Sequence, residues 1–142
     1  MEILRFSDQW LIKQLDRLHP LFRTLFAAVA AERSLPAYIR YARLTGRGSS
    51  AVLGEALNRL WGDIEGQRMS PEQAKETLEL VMTLIPREDD GPWVPEQAWA
   101  EDATAALAYA LRCRESGHST ESAWAARRAY EAMDHSPSPG MP

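Results

Sequence analysis

The sequence predicts an all-α fold: a single-domain bundle of about seven helices around a central apolar helix at about residues 20–33. Three observations carry this expectation. Apolar residues recur at i, i+3, i+4 and i+7 in one segment after another, which is the period of a helix face. No stretch shows the strict alternation of a half-buried strand. The segments are separated by Ser, Gly and Pro combinations of the kind that start and stop helices.

In chain order, Ser7 caps a first helix, with Asp8 where the helix dipole favours negative charge and an apolar stripe of Trp10, Leu11, Leu15 and Leu18. His19-Pro20 ends it, because the residue before proline avoids helical geometry, and Pro20 suits the first turn of the next helix. That second helix runs to about Arg33 and is apolar on nearly every side, which places it in the middle of the domain. Ser34-Leu35-Pro36 predicts a break and then a third helix, with Leu35, Tyr38, Ile39 and Ala42 inward and Arg40, Arg43 and Arg47 outward. Gly46 stops it as a left-handed C-terminal residue.

Ser49 or Ser50 caps a fourth helix with the buried stripe Val52, Leu53, Ala56, Leu57, Leu60, Trp61 and Ile64; Gly66 ends it. Ser70-Pro71-Glu72-Gln73 is a capping box with proline at the first helical position. It opens a fifth helix running to Ile85, with Ala74, Leu78, Val81, Met82 and Ile85 inward. A loop, Pro86 to Pro92, precedes a sixth, alanine-rich helix from Glu96 to about Glu115. After the turn Ser116-Gly117-His118, Ser119 or Thr120 caps a seventh helix, with Ala123, Trp124, Ala126, Tyr130 and Met133 available for packing. Residues 1–135 form one all-helical domain, and 136–142, Ser-Pro-Ser-Pro-Gly-Met-Pro, a flexible tail.

At 142 residues and 45% hydrophobic, the chain can bury a core without disulfides or a metal. A single cysteine, Cys113, fits a reducing cytoplasm. The N-terminus lacks the basic and apolar regions of a signal peptide, and no run is long enough to span a membrane. Charge is uneven: residues 1–71 carry ten basic and seven acidic residues, whereas 72–142 carry six and thirteen. An acidic half argues against nucleic acid and permits a basic protein partner.

The residues that could do chemistry do not assemble into a recognisable set. Cys113 and His118 could be a nucleophile and base, but no third group orients the histidine. His19 and His135 have no metal-ligand spacing with any cysteine or carboxylate, and Glu88-Asp89-Asp90-Gly91 lacks the alternation of an EF-hand loop. No cofactor, metal or catalytic residue is expected. Arg40, Arg43 and Arg47 read either as a solvated face or as an anion site. Glu32-Arg33 reads as an ion pair at a helix end. Asp102, on a mostly apolar helix, must be paired if buried: it bridges to another helix, through Arg33 for instance, lies near solvent, or acts as a functional acid. Trp93 either pins the far end of the acidic loop or stands out as an anchor for a partner. Glu88, Asp89, Asp90, Trp93, Glu96 and Asp102 are therefore the candidate partner-binding residues.

Three stretches carry a resemblance: Phe26-Ala-Ala-Val-Ala-Ala-Glu-Arg-Ser-Leu-Pro-Ala-Tyr38; Thr45-Gly46 with Ala51-Val52-Leu53 and Leu57-Asn58-Arg59-Leu60-Trp61; and Trp99-Ala-Glu-Asp-Ala-Thr-Ala-Ala-Leu-Ala-Tyr109. In this order they resemble the YjaG-like bacterial family (DUF416), a domain of unknown function. The resemblance spans most of residues 8–134 and implies a compact all-helical cytoplasmic protein without established catalytic residues. Members usually continue beyond the point at which this chain enters its Ser/Pro tail.

The functional expectation is a non-catalytic protein-binding module. In its most specific form it is an immunity protein that blocks a basic toxin domain through its acidic surface. Two alternatives stay open: an enzyme or small-ligand binder with an interhelical site near Arg33 and Asp102, and a housekeeping homo-oligomeric scaffold. Neither nucleic acid nor membrane is expected as a partner.

Overall fold

The computed structural model describes residues 7–135, and for Asp134 and His135 the backbone alone. The expected tail at 136–142 and the first six residues lie outside the described residues. Six helices follow one another: α1 (Asp8–Asp16), α2 (Pro20–Thr45), α3 (Ser50–Ile64), α4 (Pro71–Thr83), α5 (Glu96–Ser116) and α6 (Ser119–His135). A single 3-10 turn, Glu88–Asp90, lies between α4 and α5, and there is no strand among the described residues. No helix among them is long and apolar enough to cross a membrane.

Local punctuation behaves as its chemistry dictates. The His19 ring Nδ1 accepts the Leu21 N–H at 3.1 Å, and Pro20 sits at the start of α2. Ser49 Oγ accepts from the Val52 N–H, opening α3. The Ser70–Gln73 capping box is complete in both directions, at 3.1 and 2.9 Å. Ser119, expected as a cap, already lies within α6, and its hydroxyl bonds the Asp16 carboxylate of α1 instead.

Two expectations are corrected. The count of seven helices becomes six because Ser34-Leu35-Pro36 does not break the chain: Pro36 lies inside α2. The buried positions Thr24, Ala27, Ala28, Ala31, Ser34, Ala37, Tyr38 and Tyr41 form one uninterrupted helical register through it. Packing along this stripe outweighs the local penalty, and the proline is at an exposed position. The Ser34 hydroxyl turns back to the Ala31 carbonyl at 2.7 Å.

The second correction concerns the central rod. The first half of α2 buries one face of small residues, whereas Leu21, Phe22, Phe26 and Val29 remain exposed, Phe22 by 53%. The helix in the middle is α5, which packs against α2, α3, α4 and α6. Its alanines explain this. Ala100, Ala103, Ala106, Ala108 and Ala110, with Leu107 and Leu111, are buried around much of its circumference, because small side chains let four neighbours approach.

Two arginines hold the helix ends. Arg23 donates to the Leu15 carbonyl at 2.9 Å, the Asp16 carbonyl at 3.0 Å and the Gly117 carbonyl at 2.8 Å. One guanidinium thus satisfies the orphan carbonyls that end α1 and follow α5. Arg114 near the end of α5 meets Asp63 near the end of α3 side-on, with Nε to Oδ2 at 3.1 Å and Nη2 to Oδ1 at 2.9 Å. Arg114 also donates to the Met69 carbonyl, whose own N–H bonds Asp63 Oδ1 at 2.8 Å. The Asp63 side chain is 1% exposed and that of Arg114 11%.

Candidate protein-binding surface

The acidic loop is built by its two flanks. After α4, Pro86 is buried, and the 3-10 turn closes with Asp90 Oδ2 accepting the Arg87 N–H at 2.9 Å. On the far side Arg47, just beyond α2, reaches across and donates from Nη2 to the Pro92 carbonyl at 3.0 Å. Val94 packs against the core. Glu88, Asp89 and Asp90 are exposed on this braced segment, and Trp93 beside them is 68% exposed. The loop is pinned by Arg47 and Pro86, so the tryptophan is left free to project.

The remaining candidates fall elsewhere or take other partners. Glu96 is half-buried in the first turn of α5. Asp102 does bridge to another helix, but through Arg128 of α6, at 2.8 Å, and not through Arg33, which is exposed. The structure thus does not bring Arg33 and Asp102 together. Arg40 is half-buried and Arg43 exposed on α2, while Arg47 belongs to the acidic loop itself. Cys113 is fully buried: its thiol donates to the His118 carbonyl at 3.6 Å and accepts from Thr24 Oγ1 at 3.8 Å, and His118 lies exposed. Burial pushes the Cys113 thiol up from its ordinary range, against the weaker opposing effect of Thr24.

Sequence reasoning passed over Asp63 and Arg114, a deeply buried ion pair. A signal was present. Asp63 continues the spacing of Leu53, Ala56, Leu57 and Leu60, and Arg114 that of Leu107, Ala110 and Leu111. A charge in register with a buried stripe requires a partner. Burial alone would raise the Asp63 carboxyl, but the Arg114 hydrogen bonds and the Met69 N–H outweigh it and hold the group below the usual carboxylate range. The Asp63 hydrogen bond in turn raises Arg114. A cavity of about 270 Å³ borders this pair, with His19, Thr24 and Arg68 on its walls. The donors of Arg114 go to Asp63, Met69 and Glu115, and the group reads as a structural clasp.

A family model described as a protein of unknown function, DUF416, matches residues 11–134. The chain belongs to the DUF416 family. The match covers all of α2 to α5, the last two thirds of α1 and nearly all of α6. No curated protein and no solved structure matches the chain. Among the described residues, no group of three or more histidine, cysteine or carboxylate side chains could hold a metal ion.

Proposed function

We propose that this DUF416 protein is a binding module that acts by contact, with Trp93 and the acidic turn Glu88–Asp90 as its contact surface. Its partner presents a basic surface; in the most specific form the partner is a toxin domain and the chain its immunity protein. One observation carries this reading: a large aromatic side chain stands 68% exposed on a loop braced from both sides, next to three exposed carboxylates. An exposed tryptophan within a charged rim is the usual makeup of an interface anchor. Bracing lowers the ordering cost on binding, and the carboxylates steer a basic partner during approach.

A photo-crosslinking residue at position 93, expressed in the native host, tests the reading. The expected result is one stoichiometric crosslinked protein with a basic surface, lost on charge reversal of Glu88, Asp89 and Asp90 and weakened by salt. The same yield from a control position on α4, such as Glu72, would overturn it.

A second reading, self-assembly, is favoured by the exposed apolar face of α2, Leu21, Phe22, Phe26 and Val29. Sedimentation of the wild type and of Phe22→Glu distinguishes it: a monomer in both cases removes the scaffold reading.

A further inference from the structure

One face of helix α5 borders a groove. Glu101, Ala105, Ala108, Tyr109 and Arg112 follow at i, i+4, i+7, i+8 and i+11, and this line floors a groove of about 270 Å³ between α4 and α6. Met82 and Ile85 form one wall, and Arg128 contributes the other. The floor is alanine at its centre. The Tyr109 ring is held between the edge of Trp124, at 5.4 Å between centroids, and the guanidinium of Arg112, 5.7 Å from its centroid.

The charges along the groove are unequal in their engagement. Arg128 is matched by Asp102. Arg112 at one end donates to Met82 Sδ, at 3.9 Å, and lies over the Tyr109 ring. Neither Arg112 nor Glu101, at the opposite end, has an ion-pair partner among the described residues. Eleven residues of helix separate them, about 16 Å at the standard rise.

We infer that this groove is the docking site for an amphipathic helix of a partner protein, lying antiparallel to α5. It carries an acidic residue in its first turn against Arg112, apolar side chains on the alanine floor, and a basic residue three turns later against Glu101. The orientation follows from the helix dipole. A free helix favours acid at its start and base at its end, and only the antiparallel direction sets that order against Arg112 and Glu101. Alanines in the floor permit the close axial approach that helix packing needs. The groove lies below the roughly 300 Å³ at which small-molecule sites begin, so it suits a laid-on helix better than an enclosed ligand.

The inference rests on the reading of the chain as a protein-binding module, and its test is independent of Trp93. The probe is a labelled, capped sixteen-residue alanine–leucine helix, with glutamate at its third position and lysine at its fourteenth, titrated against the full chain by fluorescence anisotropy. Saturable binding is expected, with the end-swapped peptide weaker by about fivefold. Arg112→Glu or Glu101→Lys alone abolishes this preference, the two together invert it, and Ala105→Trp removes binding of both peptides while the thermal melt stays cooperative. Trp93→Ala leaves peptide binding unchanged, so loss of the Trp93 crosslink and loss of groove binding are separate failures. Equal affinity for the two peptides, no saturation, or a preference unaltered in both charge variants overturns the inference. So does a chain that dimerises alone through this groove.

Discussion

At Gly48 the absence of one methyl group decides how α2 and α3 meet. The residue has φ +69°, and a Cβ there would fall on the Tyr38 hydroxyl. That hydroxyl accepts the Ser49 N–H at 3.1 Å just as α3 begins. Burial raises the Tyr38 hydroxyl above its usual range, so it remains protonated and the contact is a neutral hydrogen bond. Gly48→Ala should cost about 2–3 kcal/mol, from left-handed strain and displacement of a buried ring. Gly46→Ala, at φ +68° but with open space around it, should cost only about 1 kcal/mol. Urea denaturation of both, together with Tyr38→Phe in the Gly48→Ala background, separates clash from strain, since removal of the hydroxyl should recover part of the loss.

Asp63 supplies the pH dependence at the same scale. Its folded pKa lies below its unfolded value of about 3.9. The stabilisation is therefore fully present above that value and is lost as pH falls through the lower folded pKa. Asp63→Asn should flatten this acid limb and destabilise by about 3 kcal/mol at neutral pH, because Arg114 loses its buried carboxylate and keeps only the exposed Glu115 as an ion-pair partner. Equilibrium unfolding at a series of pH values measures both; an unchanged acid limb in the variant would show that the clasp is not its source.

Among elements, α2 and the Arg23 junction give opposite lessons. Pro36 withholds the N–H that would bond the Glu32 carbonyl, so Pro36→Ala should stabilise the chain by about 2 kcal/mol after the change in unfolded-chain entropy is deducted. A decrease in stability on urea denaturation would mean that the proline shapes the helix in a way the packing requires. Arg23→Lys should lose about 1–3 kcal/mol despite keeping the charge, because an ammonium cannot reach three carbonyls in a plane.

These elements also show what the sequence makes legible. The Ser70-Pro71-Gln73 box, the Pro20 start of α2 and a serine cap at Ser49 or Ser50 were readable because a cap involves residues within three or four positions of one another, whereas the His19 ring as the α2 cap was not read. Pro36 misled because the stripe from Thr24 to Tyr41, which overrides it, draws its strength from α5 and α6 across the fold. Asp63 and Arg114 are 51 residues apart, and only their shared register with apolar stripes hinted at the pair. Trp93 was legible as a candidate from its acidic neighbours. The Arg47 contact that braces its loop was not, because it spans 45 residues.

For the molecule as a whole, the acidic second half and the basic first half meet at that brace. Arg47 donates into the loop that carries the acidic turn. The acidic surface is thus held by the basic half. Truncation before α3 or after α4 should abolish the fold altogether rather than leave a folded half, and a proteolysis time course of such fragments checks this. The body that must survive is the α2–α5–α6 core, to which α1, α3 and α4 attach.

Cys113 closes that core where α2, α5 and the start of α6 converge, and it is the chain's single thiol. A sulfhydryl reagent can meet it only when this junction parts. Its labelling rate therefore works as a built-in gauge of breathing, readable on the untouched protein without an introduced probe. Sub-denaturing urea should accelerate labelling with the dependence of global unfolding if the three helices separate together, and with a shallower one if α6 peels away first.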